Sequence, residues 1–178
     1  MKKLFVFLCI TIFLMGCSTS EGKFVGSRDT ENFSCDVEIY KTEERLIADS
    51  ELVILGTVGK ASLVEENFAG ETLYASKVQV TVSEVIKGQN VETSLYVLQS
   101  GMPDSDDFET KLKAGKEYLL FLNSKTFGGE TVFDCTGLEQ GIVEVRENGE
   151  LYCYADFGIS ATFDGETINA FKSKLELK

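Results

Sequence analysis

Cys17, Cys35, Cys135 and Cys153, with the run Asp104-Ser105-Asp106-Asp107-Phe108-Glu109, are the residues whose types and spacing could do chemistry. A thiol can be acylated, bridged to a second thiol or turned on a substrate, and an oxygen-rich loop can supply ligands to calcium, which takes about six to eight oxygens. The acidic run lacks the alternating spacing and internal glycine of an EF-hand loop, so it reads as a solvated loop and no metal is assigned. Histidine is absent from all 178 residues, which removes Ser/His/Asp and Cys/His nucleophile pairs and the usual imidazole zinc site. No other catalytic pairing is visible. The chain reads as non-catalytic and without a cofactor.

The elements that must position these groups begin with a leader. Lys2 and Lys3 precede an apolar run from Leu4 to Leu14, and a small residue, Gly16, stands directly before Cys17. That order is a secretory signal, too short for a spanning helix, which needs about 20 apolar residues. Leu14-Met15-Gly16-Cys17 resembles the bacterial lipobox. The resemblance implies cleavage between Gly16 and Cys17 and a diacylglycerol, with palmitate-type chains, on the Cys17 thiol. Residues 1–16 are then the signal peptide, and Ser, Thr, Gly and charged residues make 17–34 a flexible tether. The expected location is the bacterial cell membrane, lipid-anchored and facing outside the cytoplasm. Removing residues 1–16 takes two lysines and no acids, leaving 15 basic against 29 acidic residues and a net charge of −14. Nucleic-acid binding needs the opposite sign, so that class is set aside. The same charge repels anionic lipid, which leaves the lipid on Cys17 as the contact with the membrane.

The remaining residues, 35–178, suit one domain. Thr42 to Ala48 predicts a short helix capped by Thr42, with Leu46 and Ile47 buried. Strand signals follow at Leu52–Val58, Leu73–Lys87, Leu95–Gln99 and Tyr118–Leu122, the last buried on both faces. In the second, Val78, Val80 and Val82 alternate with polar residues, and the slip to Val85 predicts a β-bulge. Gly128-Gly129 turns the chain into Thr131–Cys135. Asn148-Gly149 predicts a two-residue type I′ hairpin pairing Val145 with Tyr152 and Val143 with Tyr154, which leaves Cys153 on the opposite face. Ile168, Phe171 and Leu175 predict a carboxy-terminal helix over Gly165–Leu177 capped by Asp164. Among Cys35, Cys135 and Cys153 three pairings are open, as is the reduced state of all three, and Cys153 is the candidate for a thiol left over.

Three stretches resemble the netrin-like module known from the tissue inhibitors of metalloproteinases. They are Ala48-Asp49-Ser50-Glu51-Leu52-Val53-Ile54-Leu55-Gly56-Thr57-Val58, then Val78 through Val85-Ile86-Lys87-Gly88, then Gly115-Lys116-Glu117-Tyr118-Leu119-Leu120. The resemblance implies a mainly β fold: a five-stranded OB-like Greek-key barrel with a short amino-terminal helix, an added β-hairpin and a carboxy-terminal helix. Cys35 and Cys135 occupy places similar to a disulfide of that family, which implies a bridge between them. The inhibitors chelate a protease zinc through a free amino-terminal cysteine. Here Cys35 is internal and Cys17 is expected to carry lipid, so that chemistry does not carry over.

The expected function is therefore a membrane-anchored, non-catalytic binding or accessory module for an envelope protein or glycan. The alternative is inhibition of an extracellular protease through a barrel loop. By analogy with OB folds, a ligand would meet Tyr74, Lys77, Gln79 and Tyr96.

Overall fold

The computed structural model describes residues 38–68, 71–89, 91–103, 112–155, 157–163 and 165–176. The signal segment with Gly16, the tether, Cys17, Cys35 and the acidic run Asp104 to Glu109 lie outside the described residues.

Thr42 opens helix α1 (Glu43–Asp49). Its Oγ1 accepts a hydrogen bond from the Arg45 amide at 3.3 Å, and Glu43 and Glu44 occupy the first turn, where free N–H groups favour negative charge. Leu46 is fully buried and Ile47 packs beside it, as the spacing predicts. At the other end of α1, Lys87 Nζ donates to the carbonyls of Ile47, Ala48 and Ser50 at 2.6, 3.2 and 2.6 Å. A cation on otherwise free terminal carbonyls opposes the negative end of the helix dipole.

Seven strands follow: β1 (Leu52–Phe68), β2 (Glu71–Lys87), β3 (Ser94–Ser100), β4 (Glu117–Phe127), β5 (Glu130–Cys135), β6 (Ile142–Val145) and β7 (Leu151–Cys153). A 3-10 turn spans Leu138–Gly141, and helices α2 (Ser160–Phe163) and α3 (Ile168–Glu176) end the chain. The protein is mainly β. Its sheet runs β1-β2-β3-β5-β4-β6-β7, and β4 also pairs with β1, so five strands close into a ring. The β3–β5 contact, Val97 against Phe133, is parallel and the other pairings are antiparallel.

Alternation in β2 works as predicted, with Val78 and Val80 buried and Val82 packed against the same core. The predicted bulge falls at Ser83, since Gly56 stands opposite Val82 and Leu55 opposite Glu84. A second slip between Val85 and Lys87 makes Ile86, rather than the exposed Val85, the residue that reaches a core. Tyr118 through Leu122 are all fully buried because β4 serves two cores. Leu120 and Leu122 face the ring interior with Ile54, Val80 and Val97, while Leu119 and Phe121 face a second core with Leu46, Phe163 and Phe171.

The β6–β7 hairpin departs from the expectation. Leu138 is the only non-glycine with positive φ among the described residues, so Asn148 does not enter the left-handed region that a type I′ turn requires. Instead the Gly149 amide donates to the Arg146 carbonyl at 2.8 Å and the Arg146 amide to the Glu150 carbonyl at 2.9 Å. That is a three-residue loop with Gly149, at φ 81°, supplying the left-handed position. Pairing slips by one residue, to Val145 with Leu151, Glu144 with Tyr152 and Val143 with Cys153. The slip buries Leu151 in the second core and leaves Tyr152, with its hydroxyl, at the surface. A one-residue shift exchanges the faces of a strand. Cys153 therefore shares the core face with Val143 and Val145, contrary to its predicted place.

The carboxy-terminal helix starts later than expected. The helix begins at Ile168, and Thr167 Oγ1 accepts from the Ala170 amide at 3.3 Å. Asp164 lies outside the described residues. Phe171 is fully buried, with Ile168 and Leu175 packed against the same core.

Candidate functional site

The sequence-predicted positions are only partly brought together. Cys135 ends β5, half-buried against the ring core; its expected partner Cys35 lies outside the described residues. Cys153 is unbridged. Burial pushes its thiol pKa up, and Sγ lies 3.9 Å from the Glu139 carbonyl oxygen. A desolvated thiol of that kind is a poor nucleophile.

On β2 and β3, Gln79 stands opposite Tyr96, and the Lys77 ammonium lies 4.3 Å from the Tyr96 ring centroid. Lys77 is also ion-paired with Glu130 of β5, so its charge is already committed. Tyr74 does not join them. It shares the alternation phase of Ser76 and Val78 and sits on the opposite face. Among the described residues no group of three or more Cys, Asp or Glu side chains is placed to hold a metal ion.

The richest cluster of polar and aromatic groups is one that sequence reasoning missed. The slipped register puts Glu144, Arg146, Tyr152 and Tyr154 on one face of the β6–β7 hairpin, beside the Lys113–Lys116 turn that leads into β4. The Arg146 guanidinium lies 4.2 Å from the Tyr152 ring, Tyr152 meets Tyr154 edge to face at 4.8 Å, and Lys113 Nζ lies 5.6 Å from the Tyr154 ring. Cations over aromatic faces contribute about 0.5–1 kcal/mol each when exposed. Beneath the row, the Tyr154 hydroxyl donates to Glu144, whose other oxygen meets Lys116 Nζ at 3.3 Å. The Tyr118 hydroxyl accepts from the Lys113 amide at 3.1 Å, fixing the turn.

Electrostatics hold this cluster in one protonation state. The hydrogen bond from Tyr154, followed by Lys116, keeps the Glu144 carboxyl below the usual range, while burial and that same hydrogen bond push the Tyr154 phenol up. Glu144 stays an anion and Tyr154 a neutral donor. The Glu144–Tyr154 hydrogen bond and the Lys116 ion pair together fix the position of the Tyr154 ring. The signal that could have found it is the alternation Glu144-x-Arg146 and Tyr152-x-Tyr154, which converges only once Glu144 is set opposite Tyr152.

A second charged cluster joins α1 to the carboxy-terminal segment. Lys174 Nζ lies 3.2 Å from Glu43 Oε1 and 2.6 Å from Glu166 Oε1, and both carboxylates are over nine-tenths buried. The short contact with Lys174 is what holds the buried Glu166 carboxylate. Burial, then repulsion from Glu166, raises the Glu43 pKa. Glu43 thus binds its proton more tightly folded than unfolded, and its contribution to stability is favourable at low pH and lost as pH rises through the raised value. Lys174→Met removes the only cation facing the pair among the described residues. We expect a loss of about 2 kcal/mol at neutral pH, discounted from the 3–5 kcal/mol typical of a broken buried pair because Lys174 is half-exposed. Urea melts at neutral and mildly acidic pH should show the deficit shrinking on acidification; a deficit that grows would overturn the assignment.

No helix among the described residues is long and apolar enough to cross a membrane. No protein-family model matches the chain, and no curated protein matches its sequence.

Proposed function

We propose that this chain is a bacterial lipoprotein, moored outside the cytoplasm by lipid on Cys17, whose body is a non-catalytic binding module for an envelope component. The single observation that carries the binding reading is the row Arg146–Tyr152–Tyr154–Lys113, exposed at Arg146, Tyr152 and Lys113 and anchored by the half-buried Tyr154, whose hydroxyl is held by the buried Glu144. Tyrosine and arginine offer large contact area at small entropic cost, and their concentration on one surface is the composition of a recognition site.

Supporting the finer reading of the fold, the order β1-β2-β3-β5-β4 returning to β1, with β3 and β5 parallel, is what an OB-like barrel of the netrin-like type requires. In that reading β6–β7 is the added hairpin, and α1 lies before the first barrel strand as the resemblance implies. The lipobox supplies the mooring, and the acidic body would stand off an anionic membrane.

The reading is tested in cells and on isolated envelopes. Radiolabelled palmitate should enter the wild-type chain and not Cys17→Ala, and the purified Cys17→Ala chain, which has no lipid of its own, should sediment with envelope fragments. Absence of label with normal retention of Cys17→Ala would remove the anchor, and failure to sediment would remove the binding function.

A further inference from the structure

We infer that the β6–β7 row binds an anionic sugar polymer, one carrying carboxylate or phosphate groups along a chain of sugar or polyol units. This rests on the envelope-binding reading and names the ligand class of that same surface.

Charge is the first ground. The chain carries a net −12, yet this patch gathers Lys113, Lys116 and Arg146 around a single paired carboxylate, Glu144. Lys116 is neutralised by Glu144, but neither Lys113 nor Arg146 forms an ion pair among the described residues; each rests over a tyrosine ring instead. Glu147 and Glu150 stand in the adjoining loop without pairing to Arg146. In an acidic protein with this many carboxylates, two cations kept off them are available to an outside anion. Arginine suits this role because its planar fork matches carboxylate and phosphate oxygens while its face remains on an aromatic ring.

Shape is the second ground. Tyr152 is exposed and stands at 89° to the half-buried Tyr154, so the ledge is one exposed ring with the second ring beside it, flanked by a cation at each end. A sugar ring lays its C–H face on such a ledge and carries its acidic group at the rim, where Arg146 or Lys113 stands. An acidic peptide would satisfy the cations but leave the ledge without a flat partner. A neutral glycan would use the ledge and leave both cations without a counter-charge. The surface also needs no rearrangement, because Glu144, Tyr154 and Tyr118 already fix its geometry.

The test uses the full chain in detergent against four immobilised polymers: polygalacturonate, poly(glycerol phosphate), dextran and polyglutamate. We expect binding to one or both of the first two, weakened at least tenfold by raising salt from low to physiological and beyond, and weakened at least tenfold by the double variant Arg146→Ala/Lys113→Ala. The first two polymers separate a carboxylate source from a phosphate source. Lys125→Ala, remote on β4, serves as the charge control and should bind as wild type. An intact urea melt of the double variant establishes that it folds, and Tyr152→Leu, which keeps both cations, should weaken binding by removing the ledge. Equal binding to dextran, preference for polyglutamate, or an unchanged double variant would each overturn the inference. If the Cys17→Ala chain sediments with envelopes yet binds none of the four, the ligand class is wrong and the envelope-binding reading stands; if it does neither, both are wrong.

Discussion

Replacing Gln140 by Leu is expected to cost about 3–5 kcal/mol, because two or more buried backbone groups lose their partner at roughly 1–3 kcal/mol each. Gln140 is fully buried in the 3-10 turn. Its Oε1 accepts from the Tyr40 amide at 2.8 Å, and its Nε2 donates to the carbonyls of Glu38 and Gly137 at 2.8 and 3.1 Å. It is the clasp that holds the segment before α1 to the far end of the sheet. Its surroundings admit little adjustment. Gly137, at φ 65°, presses on the Tyr40 ring, where a Cβ would come within 2.7 Å, and Leu138 beside it sits at φ 56°, a conformation that costs a non-glycine about 1–3 kcal/mol unless its context enforces it. For a domain of this size the loss corresponds to a drop of about 10–15 °C in melting temperature. Calorimetry of wild type, Gln140→Leu and Gln140→Glu reads it. The glutamate variant keeps the shape but replaces the amide donor by an anion facing two carbonyls, so it should be the worst at neutral pH and partly recover on acidification. A leucine variant within 1 kcal/mol of wild type would show that the clasp contributes little.

Phe121→Ala should cost about 4 kcal/mol, at the upper part of the range for deleting a buried aromatic ring, since the cavity is walled by other rings that cannot collapse. Phe121 packs at 6.0 Å from Phe163 and edge-on at 6.1 Å from Phe171, and those two meet at 6.1 Å. The three rings join β4, α2 and α3, and all three are fully buried. Beyond area, each such aromatic pair contributes about 0.5–1.5 kcal/mol. The prediction is read from urea unfolding, where the midpoint should fall with the slope unchanged, and Phe121→Leu should lose less than half as much. Equal, small losses for both variants would mean that the rings merely fill space.

Much of the fold was legible because local and tertiary demands agree. Thr42 is a good cap and α1 begins after it; Tyr118–Leu122 is uniformly apolar, and β4 has a core on each face. The slip after Val82 is a bulge for the same reason that it looks like one. Legibility failed where a local signal fits two outcomes. Asn148-Gly149 suits both a two-residue and a three-residue loop, and the choice was made far away, by which of Leu151 and Tyr152 the second core could accept. β1 runs ten residues past its expected end at Val58, because pairing with β2 resumes at Ala61 beyond an irregularity at Gly59-Lys60, a stretch with weak strand propensity of its own. The Arg146–Tyr152–Tyr154–Lys113 row could not be seen before that register was known. The proposed lipid anchor, by contrast, rests on the first 17 residues alone.

The ring closes through β4, and β4 is late in the chain. Whether the polypeptide leaves a ribosome or a secretion pore amino end first, β1, β2 and β3 emerge with Leu52, Val53, Ile54 and Leu55 pointing apolar surface to both sides and no closing strand to receive it. Roughly half of the domain must therefore wait, sticky and unsealed, until residue 122 is through.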